Sequence, residues 1–184
     1  NPAYQNSSSS IMQAKFLRFI EDILITPLSG LEISLSYIIG GTVRGVLNGI
    51  LVLLLGYIIT GFEINSWFLT LVYLFLVSWA FAGAGVIVGI FAKSWDSIMV
   101  ITNFFFMPLT FLGGVFYSIE MLPDFWRSFT LINPLYWMIN GLRYATMGIA
   151  DTSHELSLGI SILFALFFSI MASYMFSKGY RIKT

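Results

Sequence analysis

The run DTSHE at residues 151–155 brings Asp151, His154 and Glu155 close together. These are the residue types of a general acid–base pair or of a carboxylate and imidazole metal site. His154 is the only histidine, and there is no cysteine. One imidazole with two carboxylates, directly ahead of an apolar run, reads as a polar helix start and not as a catalytic centre. Ser7 to Ser10 have no base near them in sequence, and Asn6 opens an N-x-S acceptor that goes unused on a cytoplasmic face. No G-x-x-x-x-G-K-[ST] loop occurs, so no phosphate cradle for a nucleotide is encoded in this stretch. No catalytic residue and no metal site is therefore assigned. The chemistry to look for is recognition and passage.

The elements that would position such residues follow from charge. Among 184 residues there are nine Lys and Arg and nine Asp and Glu, 10% of the chain, against about 25% in a soluble domain. Hydrophobic residues make up 58%, more than a water-soluble monomer could cover. The zero net charge leaves no basic surface for nucleic acid. The composition predicts an all-α, polytopic transmembrane helical bundle. Uncharged or nearly uncharged stretches place four spans at about 34–60, 67–92, 97–117 and 156–177, each long enough for a hydrocarbon core of about 30 Å. Residue 1 is Asn, and no basic segment with a cleavage site follows, which reads as a truncated N-terminus without a signal peptide.

Ahead of the spans, residues 1–10 read as a polar stretch and residues 11–26 as an amphipathic cytoplasmic helix. Met12, Phe16, Phe19, Ile20 and Ile23 fall on one face, with Lys15, Arg18 and Asp22 on the other. Pro27 ends it, and Ser29 with Glu32 forms a capping box that starts the next helix near Gly30. Arg44 then falls just inside the near membrane boundary. Two readings stand: it snorkels to headgroups, or it faces a neighbouring helix or a substrate path. Gly41, Gly45 and Gly49 form a small-residue ridge beside it, and Gly85 and Gly89 form another with Ala80 and Ala84.

Residues 119–150 are apolar enough to suggest a fifth span, but their charges oppose one. If they do not cross, Lys15, Arg18, Lys93, Lys178, Arg181 and Lys183 share one side, which the positive-inside rule makes cytoplasmic. The segment then reads as two short helices dipping into the outer leaflet. Pro123 and Pro134 start them, and Asn133 caps the second. Pro108 and the pair Gly113 and Gly114 supply a kink and a break in the preceding span. No Asp or Glu lies within the four spans, whereas ion-coupled carriers bury such groups there.

Two blocks carry a family resemblance. AKFLRFIEDILITPLSGLEI, followed by SYIIGGTVRG, is similar to the cytoplasmic stretch between the second and third spans of the membrane (permease) subunit of type 2 ATP-binding-cassette (ABC) exporters. PLTFLGGVFYSIEMLPDFWRSFTLINPLYWMINGLRYATMGI resembles that family's glycine-centred span end, Leu-Pro, Asn-Pro and closing Arg. The resemblance implies six spans, so that this chain holds four and lacks the first two. It implies that Lys15, Arg18, Glu21 and Asp22 lie on a coupling helix that docks on a separate ABC ATPase subunit, which holds the ATP and magnesium. It implies a homodimer of permeases among membrane lipids, in a bacterial inner membrane with both ends of this chain cytoplasmic, exporting substrate by alternating access. Pro108, Gly113, Gly114, Pro123, Asn133, Pro134 and Arg143 would form the outer gate. A passive channel or ion-coupled secondary transporter is the alternative, and a lipid-modifying membrane enzyme a more distant one.

Overall fold

A computed structural model of the protein describes residues 2–19 and 27–179. Among these the regular elements are all helical: α1 Pro2–Phe16, α2 Gly30–Thr60, α3 Trp67–Phe91, α4 Trp95–Ile101, a π-helical turn Thr102–Phe106, α5 Met107–Phe111, a 3-10 turn Ile119–Met121, α6 Asp124–Ile132, α7 Pro134–Met147 and α8 His154–Lys178. Three of them, α2, α3 and α8, are long and apolar enough to cross a membrane. The chain is thus an all-α, polytopic helical bundle.

Local chemistry sets the helix ends. The Ser29 hydroxyl accepts from the Glu32 amide at 3.3 Å, and the Glu32 carboxylate accepts from the Ser29 amide at 2.7 Å. This closed capping box contributes about 1 kcal/mol to the start of α2. Gly61 ends α2 in the left-handed conformation, at φ 67°, with its N–H on the Tyr57 carbonyl.

The N-terminal region departs from expectation. Residues 1–10 are not a separate polar stretch, and no amphipathic helix begins at Ile11. Pro2 to Phe16 is one helix, wedged against α2 and α3, with Ala3, Ser7, Ser8 and Ile11 wholly buried. The serine hydroxyls that make this segment look polar are satisfied within the fold: Ser8 donates to the Tyr4 carbonyl at 2.8 Å and Ser7 to the Tyr37 carbonyl at 3.2 Å. Once satisfied, they behave as small packing residues. Beyond Phe16 the chain turns, with Arg18 at φ 60°, a conformation uncommon for a residue with a Cβ. The rest of the expected amphipathic helix, including Glu21 and Asp22, lies outside the described residues.

The expected span at 97–117 is a helix broken into three parts that stops at Phe111. Pro108 explains the break. It has no N–H to give the Phe104 carbonyl, and its ring would collide with that carbonyl in an α-helix. The backbone widens by one residue instead, so that the Met107 amide reaches the Thr102 carbonyl. Gly114, at φ 77°, then turns the chain away.

The buried core lies between α1, α2, α3 and α8, around Ile11, Ile38, Val86, Ile90 and Phe176. The C-terminal ends of α1, α3 and α8 and the start of α2 gather at one end of the bundle, where Gly30 abuts Ser177 and Lys15 meets the Ala92 carbonyl. Lys15, Lys93 and Lys178 make this end basic. The opposite end carries Glu63, Glu120, Asp151 and Glu155.

Candidate functional site

Within the segment 119–150, α6 and α7 form a helical hairpin at the acidic end. Leu135 and Met138, near the start of α7, pack against Ala80, close to the middle of α3. Gly141 gives room for the Tyr73 ring, where any Cβ would collide. At the other end of α7, the Ala145 and Thr146 carbonyls accept from the Ser66 and Asn65 amides at 3.0 and 2.9 Å. Helix α7 therefore climbs from mid-bundle to the outer end of α3, and the turn at Asn133 and Pro134 is its deep tip.

Asn133 does two things at that tip. Its Oδ1 accepts from the Leu135 amide at 3.0 Å, capping α7, and its Nδ2 donates to the Leu109 carbonyl at 2.6 Å. Leu109 follows Pro108, so the hairpin tip is tied to the broken helix just past its break. Pro134 occupies the first turn of α7, and Pro123 is the residue ahead of α6.

Arg143 joins three segments at the outer end. Its Nη1 lies 3.1 Å from Asp151 Oδ2, and its Nη2 donates to the Gly114 carbonyl. Asp151 Oδ2 also accepts from the Ile119 amide at 3.0 Å. Beneath this pair, Asn140 is 1% exposed; its Oδ1 accepts from the Asp151 amide at 2.9 Å and its Nδ2 reaches Ser157 Oγ at 2.9 Å. The buried Tyr136 hydroxyl donates to Thr152 Oγ1 at 3.2 Å. Tyr73 is not legible as a positioning residue in the sequence because its partner, the His154 carbonyl, lies 81 residues along the chain.

The DTSHE run is dispersed by this arrangement. Asp151 turns to Arg143, while the His154 ring stacks on Tyr144 with centroids 4.3 Å apart and its carbonyl accepts from Tyr73 at 2.8 Å. No group of three metal-ligating side chains occurs among the described residues.

Two apolar cavities flank the broken helix. One, of about 580 Å³, lies between Phe81, Ile87, Phe105, Leu109, Leu135 and Phe168. The other, of about 430 Å³, is bounded by Val77, Asn103, Phe106, Thr110 and Ile139. Gly113 sits beside the second, its N–H on the Thr110 carbonyl at 3.0 Å.

At the basic end, Lys15 does not present its charge to solvent. Its Nζ donates to the carbonyls of Gly89 at 3.0 Å, Ala92 at 3.4 Å and Ile90, where it caps α3 and complements the negative end of that helix. Arg18 is exposed.

The glycines of the two ridges meet α1 and α3. A Cβ on Gly45 would stand 2.7 Å from Ser78 Oγ, one on Gly49 2.7 Å from Leu74 Cδ2 and one on Gly89 3.0 Å from Ile11 Cβ; Gly41 abuts Ser7, and Gly85 abuts the Tyr4 carbonyl. Since Gly45 lies against Ser78, near the middle of the 25-residue α3, Arg44 stands level with the middle of that helix. The expected depth counted residues from the end of α2, which runs to 31 residues and overhangs the bundle.

A bundle of apolar helices, three of them long enough to cross a membrane, defines a polytopic membrane protein. Residues 1–147 match the ABC-2 type transporter family, and the chain belongs to that family. It is 37% identical over 177 residues to the inner membrane transport permease YadH of Escherichia coli strain K12, an alignment covering 96% of this chain and 69% of that protein. The YadH proteins of Escherichia coli O157:H7 and Shigella flexneri match to the same extent. No solved structure matches. The chain is the membrane part of an ABC transporter, a multi-pass protein of the bacterial inner membrane.

Proposed function

We propose that this chain is the permease of an ABC exporter, moving an amphipathic substrate outward by alternating access, in a homodimer coupled to ATPase subunits that bind ATP and magnesium. One observation carries the reading: a helix interrupted at Pro108 stands between two apolar cavities and is held past its break by the α6–α7 hairpin through Asn133 and Leu109. An element with two poorly filled sides and one tethered end can shift between packings, as alternating access demands. The spans contain no carboxylate beyond the first turns of α2 and α8, which argues against proton coupling. The basic end faces the cytoplasm by the positive-inside rule. Arg18 then lies on the side from which an ATPase docks, with Lys15 anchoring the helix that leads to it, and we assign Glu21 and Asp22 to the same coupling segment from the family resemblance. Gly113, Gly114 and Arg143 belong to the outer gate.

The test is co-reconstitution of the full-length permease with its ATPase in vesicles, using a fluorescent amphipathic dye and a fluorescent phospholipid as probes. Movement that requires hydrolysable ATP is expected. Movement driven by an imposed proton gradient without ATP would overturn the reading in favour of an ion-coupled carrier. Charge reversal at Arg18 and Glu21 is expected to uncouple ATPase association from the permease; unchanged association would remove the coupling assignment.

A further inference from the structure

A third cavity, of about 420 Å³, is an open groove between α1, α2 and α4 with a largely polar lining. Among the described residues Arg44 is its one charged lining residue; Gln5, Asn6, Ser9 and Asn48 supply amides and a hydroxyl, while Trp95, Ile98 and Met99 form an apolar wall. Arg44 projects level with the middle of α3, where a guanidinium without an anion is costly. Its Nη1 donates to Asn6 Oδ1 at 2.9 Å, a neutral acceptor that satisfies one of five N–H donors and none of the charge. Among the described residues no carboxylate lines the cavity. The ion pair found among the described residues is that of Arg143 with Asp151, at the other end of the bundle.

The neighbouring amides are set to receive an acceptor. Asn6 has its oxygen on Arg44, which leaves its Nδ2 as a donor, whereas Asn48 spends one Nδ2 hydrogen on the Arg44 carbonyl at 2.8 Å and keeps the other. The open donors of the exposed Arg44 guanidinium beside the Asn6 amide, with an apolar wall opposite, match a compact anion attached to a hydrocarbon part. We infer that the Arg44 cavity binds the anionic, phosphate-bearing headgroup of an amphiphile, with the apolar part against Trp95, Ile98 and Met99. This deepens the exporter reading by naming a substrate class, and it rests on that reading only for the step from binding to transport.

Binding is measured on the full-length permease with its ATPase partner, free of nucleotide and purified in a neutral detergent. The probe is a fluorescent short-chain phosphatidic acid, compared with the same chain on a phosphocholine headgroup and competed with inorganic phosphate. Phosphatidic acid is expected to bind at least about tenfold more tightly than the phosphocholine form. Arg44→Gln removes this preference and Arg44→Lys retains part of it. Should Arg44→Gln not assemble, Asn48→Asp keeps the arginine but places a carboxylate one helical turn away, and it is expected to abolish the preference equally. Equal affinity for both headgroups, or a preference that survives both variants, would overturn the site. Displacement by inorganic phosphate at equal concentration would overturn its assignment to an amphiphile. Headgroup-selective binding without ATP-dependent movement would sink the exporter reading alone, and the reverse result would sink the site alone.

Discussion

Arg143 and Asp151 form an ion pair, Nη1 to Oδ2 3.1 Å, in which the carboxylate is 8% exposed and also accepts from the Ile119 amide at 3.0 Å. Two chain segments on either side of the α6–α7 hairpin thus converge on one carboxylate. Because Arg143 also holds the Gly114 carbonyl, the pair fastens the end of the broken helix to the start of α8.

Removal of one partner should therefore loosen the whole outer end. Arg143→Met leaves Asp151 charged and largely buried, with a single amide for compensation, and is expected to cost about 3 kcal/mol. Asp151→Asn keeps an acceptor for the Ile119 amide and is expected to cost less. Denaturant unfolding of the full-length protein in detergent checks the order; an Arg143→Met protein as stable as the parent would reduce the pair to a surface contact.

The close approach of α1 and α3 gives a second prediction through two glycines of opposite setting. Gly85 lies against the Tyr4 carbonyl, so Gly85→Ala must push the two helices apart and is expected to destabilise by about 2 kcal/mol. Gly159, within α8, has nothing within 4 Å of an added Cβ, and Gly159→Ala should stabilise by about 0.5–1 kcal/mol through helix propensity. Thermal unfolding of the two variants side by side should move in opposite directions. A common direction would contradict the packing of α1.

These two cases also mark what was legible in the sequence. The start of α2 was legible because both members of its capping box lie within four residues, and the apolar lengths of α2, α3 and α8 because charge is excluded from them. The proline break and the Asn133 cap were legible for the same local reason. The burial of α1 was not: NSSSS scores as polar, and only the carbonyls of Tyr4 and Tyr37 turn its serines into packing residues. Lys15 looked like the polar face of a surface helix because its acceptors, at Gly89, Ile90 and Ala92, lie on another helix. The depth of Arg44 required knowing which residue of α3 faces Gly45. Contacts far apart in the chain leave no periodic trace, and the outer clasp and the polar cavity are built from such contacts.

The break at Pro108 carries the last prediction. Proline denies the Phe104 carbonyl its α-helical partner, and the π-helical turn Thr102–Phe106 absorbs the mismatch. Pro108→Ala restores the missing N–H and removes the ring, so Trp95–Phe111 can close into a continuous α-helix of about 25 Å. That change relieves a defect, and unfolding in detergent should show a gain of about 1–2 kcal/mol. It also rotates the residues ahead of the break relative to Leu109, whose carbonyl is held by Asn133 at 2.6 Å. A helix that can no longer shift at its break should transport poorly. Greater stability with ATP-dependent movement reduced about tenfold is therefore expected, measured in the same reconstituted vesicles as the parent. Greater stability with full transport would make the break a matter of packing alone and would remove Pro108 from the gate.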